Sequence, residues 1–179
     1  MVDFIFGNAV VVFQNYNINP RQPMPNQFNT ITERGKRGPN QNTGICVHKC
    51  VIRSSVNVTT NTYLGWPWKD FSTTVIMKTN ISRIVSPLGW TPWVDKAVPP
   101  ASIFYAKYLN IGAGVNMSNR VKWHGYKSNL TTAQASKYDV QSFIDGTSWV
   151  PVTGVTYEAT FKKKKKKTHL PPECAKKKK

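Results

Sequence analysis

The sequence predicts an all-β fold built from short strands that recur at a loose interval. Apolar, β-branched runs begin at Val10, Ile45, Val75 and Ile103, at spacings of 35, 30 and 28 residues. Pro, Asn, Gly and Ser cluster between these runs, which is typical of turns. A repeat of this length with one short strand per unit is what a stacked β-solenoid produces. An antiparallel β-sandwich also gives short strands and turns, so the periodicity alone leaves both architectures open.

The individual elements follow in chain order. The run at residues 10–19 alternates weakly and stops at a proline, which ends a strand naturally. Further short strands are expected at residues 28–32, 75–77 and 81–85. The prolines and tryptophans of residues 86–100 predict a loop. Thr132 opens a helical pattern with a threonine cap that continues to about Ile144, and this helix is expected to pack on the outside of the fold.

Composition places residues 1–161 in one folded domain and residues 162–179 in a lysine-rich tail. The chain has 179 residues, of which 40% are hydrophobic, and this is enough for a single core. No apolar run approaches the ~20 residues needed to cross a bilayer, so no membrane span is expected. The tail holds 10 of the 25 basic residues and 1 of the 8 acidic residues, which leaves a net charge of +8 on the domain. A basic surface attracts polyanions without specifying their kind.

Two lysine homopolymer runs dominate the tail, and no packed core forms from such a sequence. A polybasic patch for membranes or nucleic acid is one interpretation of these runs. A translated poly(A)-like 3′ end is the favoured interpretation, because AAA codons encode lysine. The chain shows no base-stacking or groove-reading motif, so nucleic acid is not an expected partner. The sequence therefore predicts a disordered tail.

Deleting residues 162–179 is expected to leave the thermal midpoint of the domain unchanged, because no core is expected to include the tail. The deletion should also weaken low-salt binding to any polyanion and flatten the salt dependence of that binding, since 10 lysine charges are lost. Thermal denaturation and a polyanion titration at several salt concentrations, on the full and shortened chains, measure both effects. A clear drop in melting temperature would show that the tail packs on the domain.

Cysteine and histidine spacing argues against a disulfide and a metal site within the strands. Cys46 and Cys50 lie in one apparent strand, where four residues of extended chain span about 13 Å. A disulfide needs Cα atoms within about 7 Å, so these two cysteines are not expected to bridge. The third cysteine, Cys174, belongs to the tail. His48 and His124 have no partners at metal-ligand spacing, so no metal and no cofactor is expected.

An acidic residue among bulky apolar neighbours marks residues 2–8, which read Val-Asp-Phe-Ile-Phe-Gly-Asn. A carboxylate in that setting is costly to bury unless another group pairs with it. Further short motifs follow at residues 11–15, 27–32, 39–44, 63–65, 67–69, 89–90, 120–123 and 146–149. From residue 2 to about residue 161, this series resembles the plant pectinesterases, or pectin methylesterases. Each motif alone is weak, and it is their shared order and spacing that makes the resemblance specific.

The resemblance decides between the two architectures, because it implies a right-handed parallel β-helix, which is a single-stranded solenoid. It also implies that the chain is the C-terminal part of a family catalytic domain, with the solenoid truncated at its N-terminal end. Asp3 matches the family's catalytic nucleophile. Phe6 and Trp68 match aromatic residues of the sugar cleft, and core packing is the alternative role for each. Trp66 stands where the family has the arginine that orients the nucleophile.

The resemblance also leads to expectations for residues outside the nucleophile segment. Tyr16 stands where many members have the cysteine that pairs with the one matching Cys50, so Cys50 is expected to be a free thiol. Lys107 stands where the family often has glutamate. Trp90 and Trp93, in the proline-rich loop, either border the cleft or cap the solenoid, and core packing is the favoured role for both.

By this resemblance, the chain is expected to hydrolyse methyl esters of galacturonate in pectin (homogalacturonan), giving free carboxylate and methanol. In the family one Asp attacks the ester, a second Asp acts as acid and then base, and glutamines hold the oxyanion. The second Asp and the oxyanion glutamine precede the nucleophile in the family, so we expect this chain to lack both. Trp66 cannot supply paired guanidinium donors, so impaired hydrolysis is expected. The alternative is a catalytically inactive pectin-binding fragment.

Family members act in the cell wall after secretion, and no signal peptide is visible on this chain.

Overall fold

The structure, a computed structural model, describes residues 2–54, 56–93, 98–115 and 118–161. The predicted tail, residues 162–179, lies outside the described residues. The strands are β1 Val2–Gly7, β2 Val10–Gln14, β3 Asn17–Ile18, β4 Asn29–Arg34, β5 Gly44–His48, β6 Val51–Ile52, β7 Thr62–Pro67, β8 Thr73–Met77, β9 Asn80–Ile81, β10 Phe104–Tyr108 and β11 Tyr126–Lys127. All pairings between these strands are parallel.

The strands form three sheets, through which the chain passes in the same order in each coil. The first sheet has the order β1-β4-β7, the long sheet β11-β10-β8-β5-β2, and the short sheet β3-β6-β9. This repeated order is a parallel β-solenoid of about three turns, so the predicted parallel β-helix is confirmed. The four β-branched runs found in the sequence correspond to β2, β5, β8 and β10, which are neighbours in the long sheet.

Two hydrophobic cores lie on the opposite faces of the long sheet, as the alternation of side chains along a strand requires. In β5, Ile45 and Val47 point into the solenoid interior, while Cys46 points to the outer face. The interior core also contains fully buried side chains from the other sheets, among them Ile31, Ile52, Leu64 and Ile81. The outer core lies under the C-terminal helices, where Leu130, Ala135 and Phe143 cover Val75, Met77 and Ala106.

Successive coils turn the same corner through a residue in the left-handed conformation. Strands β2, β5, β8 and β10 are followed by Asn15, Lys49, Lys78 and Leu109, with φ angles of 63°, 54°, 47° and 47°. For residues other than glycine this conformation costs roughly 1–2 kcal/mol each. The stacked neighbours offset that cost, because the corner N–H groups of the first three donate to carbonyls of the next coil at 2.7–3.1 Å. The corner is therefore a property of the stack rather than of its local sequence.

The predicted C-terminal helix packs on the outside of the long sheet as expected, but it is broken into short pieces. Helix α1 spans Thr132–Ala135, with a capping box between Thr131 and Gln134. Helices α2 and α3 span Val140–Ile144 and Gly146–Trp149. The break occurs at Asp139, whose backbone is extended and whose carboxylate accepts a hydrogen bond from the Ser142 N–H at 2.8 Å. Asp139 starts a new helix there instead of continuing the first. None of the helices within the described ranges is long and apolar enough to cross a membrane.

Cys46 and Cys50 are both free thiols in the described part of the chain, as predicted. They are buried in different places, because Cys46 belongs to the outer core and Cys50 to the solenoid interior. The Cys50 Sγ donates weakly to the Phe13 carbonyl at 3.4 Å. Burial raises the pKa of the Cys50 thiol, which makes the reactive thiolate scarce.

A Cys174→Ser variant is expected to take up no maleimide in the native state and two maleimides once it is unfolded without reductant. Native protection follows from the burial of Cys46 and Cys50, and full labelling follows from their free thiols. Intact-mass spectrometry counts the adducts in each state. Blocked labelling in the unfolded state, with the mass of a Cys46–Cys50 bridge, would contradict the prediction.

Lys107 on β10 is a buried cation beside another cation. Its side chain is 5% exposed, as is that of Arg120. The Lys107 Nζ donates a long hydrogen bond of 3.4 Å to the Val115 carbonyl, while Arg120 donates to the adjacent Gly114 carbonyl and to the Ser86 carbonyl. Burial, and then the charge of Arg120, lower the pKa of Lys107 to about 8. A glutamate at this position would offer Arg120 a carboxylate, whereas lysine adds a second positive charge.

Replacing Lys107 with Met is expected to stabilise the protein most strongly below pH 8. The pKa is about 8 in the folded chain against an ordinary 10.5, so below pH 8 the folded protein carries the full cost of the buried charge. Between pH 8 and 10.5 the unfolded chain binds more protons, and wild-type stability rises with pH across that window. The full shift corresponds to at most about 3 kcal/mol. Urea denaturation from pH 7 to pH 10 should show the advantage of the variant shrinking as pH rises. The exposed Lys137→Met change is the control, and a pH-independent advantage for Lys107→Met would refute the argument.

Candidate functional site

Asp3 lies on β1, at the edge of the first sheet. Its Cα is paired across the sheet with Thr30 of β4, which in turn pairs with Tyr63 of β7. The Asp3 carboxylate is half-buried and accepts a short hydrogen bond from the Thr30 hydroxyl. The strand therefore presents a carboxylate that is held in place by its neighbour and is still reachable by solvent.

Burial raises the pKa of the Asp3 carboxyl above 3.8, and the hydrogen bond from Thr30 opposes that rise. The Trp66 indole N–H opposes it to a smaller extent. Trp66 Nε1 has no hydrogen-bond partner of standard geometry in the described residues, so its effect on Asp3 acts at longer range. The described side chains that support the carboxylate are thus neutral donors, and these stabilise a negative charge less than a guanidinium does.

Three residues farther along the strands, Phe6, Glu33 and Trp66 form a row across the first sheet. Phe6 of β1 pairs with Glu33 of β4, and Glu33 pairs with Trp66 of β7. Their exposure differs sharply, since Phe6 is 71% exposed, Glu33 is 9% exposed and Trp66 is fully buried. The sheet therefore places an exposed aromatic ring, a buried carboxyl and a buried indole side by side.

A tryptophan cluster borders this row. The Trp66 and Trp93 rings lie 4.1 Å apart between centroids, and Trp68 lies 6.2 Å from Trp93. Trp68 is 39% exposed, and the Lys69 ammonium sits 4.4 Å from its ring centroid. Trp93 therefore bridges the buried indole and the exposed one, at the border of the site.

The two tryptophans of the proline-rich loop have different positions. Trp90 is fully buried in the solenoid interior, where its ring meets that of Tyr105 at 4.7 Å, so its predicted core packing is confirmed. Trp93 is only partly buried and stacks against Trp66, which places it with the cluster rather than in that core. A proline-rich loop carries no periodic signal, so the sequence could not separate the two residues.

No lysine or arginine of the described residues makes an ion pair with Asp3. The buried Arg34 on β4 forms no ion pair with Asp3 either, and its one described side-chain hydrogen bond runs from Nη1 to the Gly7 carbonyl at 2.5 Å, at the other end of β1. Trp66 occupies the expected arginine position as a core residue, packed on Phe28 and Trp93. At the position where the resemblance predicts an arginine, the structure thus has a buried indole, and no lysine or arginine of the described residues pairs with Asp3 there.

The site combines a half-buried carboxylate with exposed aromatic faces. Such a carboxylate suits attack on an electrophilic carbon, and flat rings suit the apolar face of a sugar. The described residues contain no group of three or more His, Cys, Asp or Glu side chains able to hold a metal ion. One titratable group of the site, Glu33, was missed in the sequence. Its only signal there is an acidic residue inside a run that otherwise has β-forming residues.

The fold and the site together define a class, the parallel β-solenoids that carry a carboxylate beside aromatic rings on one sheet. Within that class, a family model described as Pectinesterase matches residues 1–147. The chain belongs to the pectinesterase family.

Named relatives agree with this assignment. Pectinesterase 3 of Phaseolus vulgaris is 55% identical over 161 residues, which cover 89% of this chain and 28% of that protein. Pectinesterase 1 of Arabidopsis thaliana is 53% identical over 154 residues, covering 86% of this chain and 26% of that protein. Among solved structures, pectin methylesterase from carrot aligns with a TM-score of 0.83 and 39% identity, over 89% of this chain and 51% of that one. The chain therefore spans about half of the carrot structure and under a third of these two relatives.

Proposed function

We propose that this chain hydrolyses methyl esters of galacturonate in pectin, with Asp3 as the nucleophile, Phe6 and Trp68 as sugar-binding aromatics, and a rate reduced by Trp66. Membership of the pectinesterase family supports the reaction class. The observation that carries the proposal is the half-buried Asp3 carboxylate, supported by Thr30 on a solvent-reachable sheet. The domain of residues 1–161 is the proposed acting unit, and the plant cell wall is the proposed place of action.

The proposed reaction needs the Asp3 carboxylate in its ionised form. Its raised pKa keeps more of the basicity that a nucleophile needs, while the Thr30 hydroxyl holds one oxygen in position. Trp66 offers one indole N–H in place of two parallel guanidinium donors, so the carboxylate is less well aimed. Misaiming of a reacting group by 1 Å typically costs about 100-fold in rate, which is the proposed source of the impaired hydrolysis.

The proposed substrate surface consists of exposed rings beside positive charge. Phe6 and Trp68 present 71% and 39% of their surface to solvent. Lys69 lies over the Trp68 ring and adds a cation where free carboxylates of pectin would pass. A pyranose ring packs its apolar face on an aromatic ring, and neighbouring galacturonates are attracted by the lysine.

Methanol release from highly methyl-esterified pectin tests the proposal directly. The full chain should release methanol slowly but measurably above the rate of spontaneous hydrolysis, and the same preparation should release none from polygalacturonate. Failure to release methanol at any pH between 5 and 8 from a protein shown to be folded by circular dichroism would overturn the hydrolase proposal.

A second candidate function is pectin binding without hydrolysis. The observation that favours it is the burial of Trp66 in an aromatic cluster, with no described cation paired to Asp3. Under this alternative, esterified pectin binds the chain but no methanol appears. If RNA displaces the bound pectin as effectively as polygalacturonate does, the affinity comes from the positive charge of the chain alone.

A further inference from the structure

Residues 155–161 form a strap that lies across the outer face of the long sheet, with no helix or strand of their own. The Gln14 side chain holds the strap by its backbone. It donates from Nε2 to the Glu158 carbonyl at 3.0 Å and accepts from the Glu158 N–H at 2.7 Å. Farther along, the Ala159 carbonyl accepts a hydrogen bond from the Gln141 N–H at 3.0 Å. One amide side chain at the end of β2 therefore pairs with the strap as a neighbouring strand would.

The strap covers His48, which is the neighbour of Gln14 across the long sheet. His48 is 1% exposed, and the Phe161 ring lies 5.1 Å from its ring between centroids. Phe161 also stacks on Tyr108 at 5.7 Å, and the Lys78 ammonium lies 4.5 Å from the Phe161 centroid. His48 is therefore a buried titratable group whose cover includes the strap.

The Gln14 amide determines which nitrogen of His48 carries a proton. The Glu158 carbonyl only accepts and the Glu158 N–H only donates, so the amide cannot turn over without losing both hydrogen bonds. Its Nε2 must then also donate to His48 Nδ1, which lies 3.0 Å away. An accepting Nδ1 has no proton, so the ring is neutral with its hydrogen on Nε2. That Nε2 is buried without a hydrogen-bond partner among the described residues. The strap is thus closed over a neutral histidine.

The charges around His48 also oppose its protonation. Within the described residues, the charged groups that act on it are Lys49 at the corner of its own coil, Lys78 after β8 and Glu158 of the strap. Glu158 is shared, because its carboxylate forms an ion pair with Lys49. Burial first, and then the charge of Lys78, lower the pKa of His48 to about 4, and Glu158 opposes that fall.

We propose that residues 155–161 are a strap released by acid, with His48 as its proton sensor and Gln14 as the residue that couples the two. A proton on His48 Nδ1 makes that atom a donor, and it then faces the Gln14 Nε2, which is also a donor. Gln14 must move away or turn over, and either movement breaks its two hydrogen bonds to Glu158. Release opens the cavity of about 300 Å³ beside β2, because Tyr157 of the strap and Gln14 both line it. The device does not depend on the proposed hydrolysis.

Acid favours the open strap because the closed strap disfavours the charged histidine. The pKa of His48 is about 4 under the closed strap, whereas an exposed histidine has its ordinary value of 6.5. The ratio of closed to open strap should therefore be constant above pH 6.5. Between pH 6.5 and pH 4 the ratio should fall, by up to about 300-fold over the whole window.

A single fluorine label at position 161 of the full chain follows the strap directly. With 4-fluorophenylalanine in place of Phe161, the ¹⁹F resonance should be that of a packed ring at pH 7 and should move toward that of a free ring as the pH falls below 6.5. This change should coincide with the titration of the His48 ring in ¹H–¹⁵N correlation spectra. Those spectra should show Nδ1 without a proton at pH 7. Near-UV circular dichroism should stay native while the label moves.

Three variants separate the sensor from general acid effects. His48→Asn keeps an acceptor near the Nδ1 position and has no ionisable ring, so its label should stay packed down to pH 4. Gln14→Leu removes the coupling, so its label should already be free at pH 7. His124→Asn is the matched control at an exposed histidine, and it should change neither the resonance nor its midpoint.

Three results would overturn the proposal. The first is a label that moves at the same pH in His48→Asn as in the unmodified chain. The second is a label that moves only together with the loss of the native circular dichroism, since the whole domain would then be unfolding. The third is a His48 ring with its proton on Nδ1 at pH 7, because Gln14 would then not couple the ring to the strap.

Discussion

Replacing Asp3 with Asn is expected to reduce methanol release from esterified pectin to the background rate, a loss of about 10³-fold or more where the wild-type signal allows it to be measured. The amide has nearly the shape of the carboxylate and can still accept the hydrogen bond from Thr30. It has no negative charge with which to attack the ester carbon, so the loss is chemical rather than structural. Initial rates by a coupled methanol assay, at saturating pectin, give the change in kcat.

Asp145→Asn is the matched control for this substitution. Asp145 lies between α2 and α3 with φ at 47°, a conformation that Asn also adopts readily. That variant should keep the wild-type rate and melting temperature. Asp3→Asn should keep the wild-type melting temperature and pectin affinity while losing the rate. Retention of methanol release in Asp3→Asn would show that another group performs the attack, and the assignment of Asp3 would be wrong.

Replacing Trp66 with Arg is expected to improve the chemistry of the site and weaken the fold. Trp66 is fully buried, packs on Phe28 and Trp93, and has a carbonyl that accepts a hydrogen bond from the Tyr105 hydroxyl at 2.7 Å. Removal of a buried tryptophan ring costs about 3–5 kcal/mol, and a guanidinium regains little of that packing. The same guanidinium near Asp3 should lower the pKa of its carboxyl and hold it in position for attack.

Thermal denaturation and methanol release, measured on the same preparations, separate the two effects. Trp66→Arg should melt at a lower temperature than wild type, and below that temperature it should release methanol faster. Trp66→Phe is the control, since it keeps an aromatic ring against Trp93 and adds no charge. It should lose less stability than Trp66→Arg and gain no rate. A Trp66→Arg protein that is as stable as wild type would show that the indole contributes little packing, contrary to its burial.

Four strands of the solenoid were predictable because each of them carries its own signal. The β-branched runs mark β2, β5, β8 and β10, and turn-forming residues separate them. No local stretch of sequence distinguishes a solenoid from a sandwich, because both architectures use the same kind of short strand. Family resemblance made that choice at the level of sequence, and the parallel pairings confirm it.

The corners and the helix break had weaker signals. Lys49, Lys78 and Leu109 adopt positive φ although they are not Gly or Asn, the residues that prefer this conformation. The residue types at these corners therefore do not predict the turn. Hydrogen bonds from the Lys49 and Lys78 N–H groups to the neighbouring coil hold two of these conformations, and such bonds exist only in the assembled stack. At Asp139, a polar side chain within a helical pattern caps a second helix, an outcome that competes closely with continuation of the first.

By itself, the sequence determined the repeat of short strands and the separation of Cys46 from Cys50, and through its resemblance to the pectinesterases it predicted Asp3, Phe6 and Trp68 as site residues. Those features depend on residue types at fixed spacings along the chain. Only the tertiary structure decided that Trp66 is buried against Trp93 and that Glu33 is a buried carboxyl in the electrostatic environment of Asp3. These residues come from different coils or from a loop, and their burial and charge depend on how the coils stack, which no local stretch of sequence encodes.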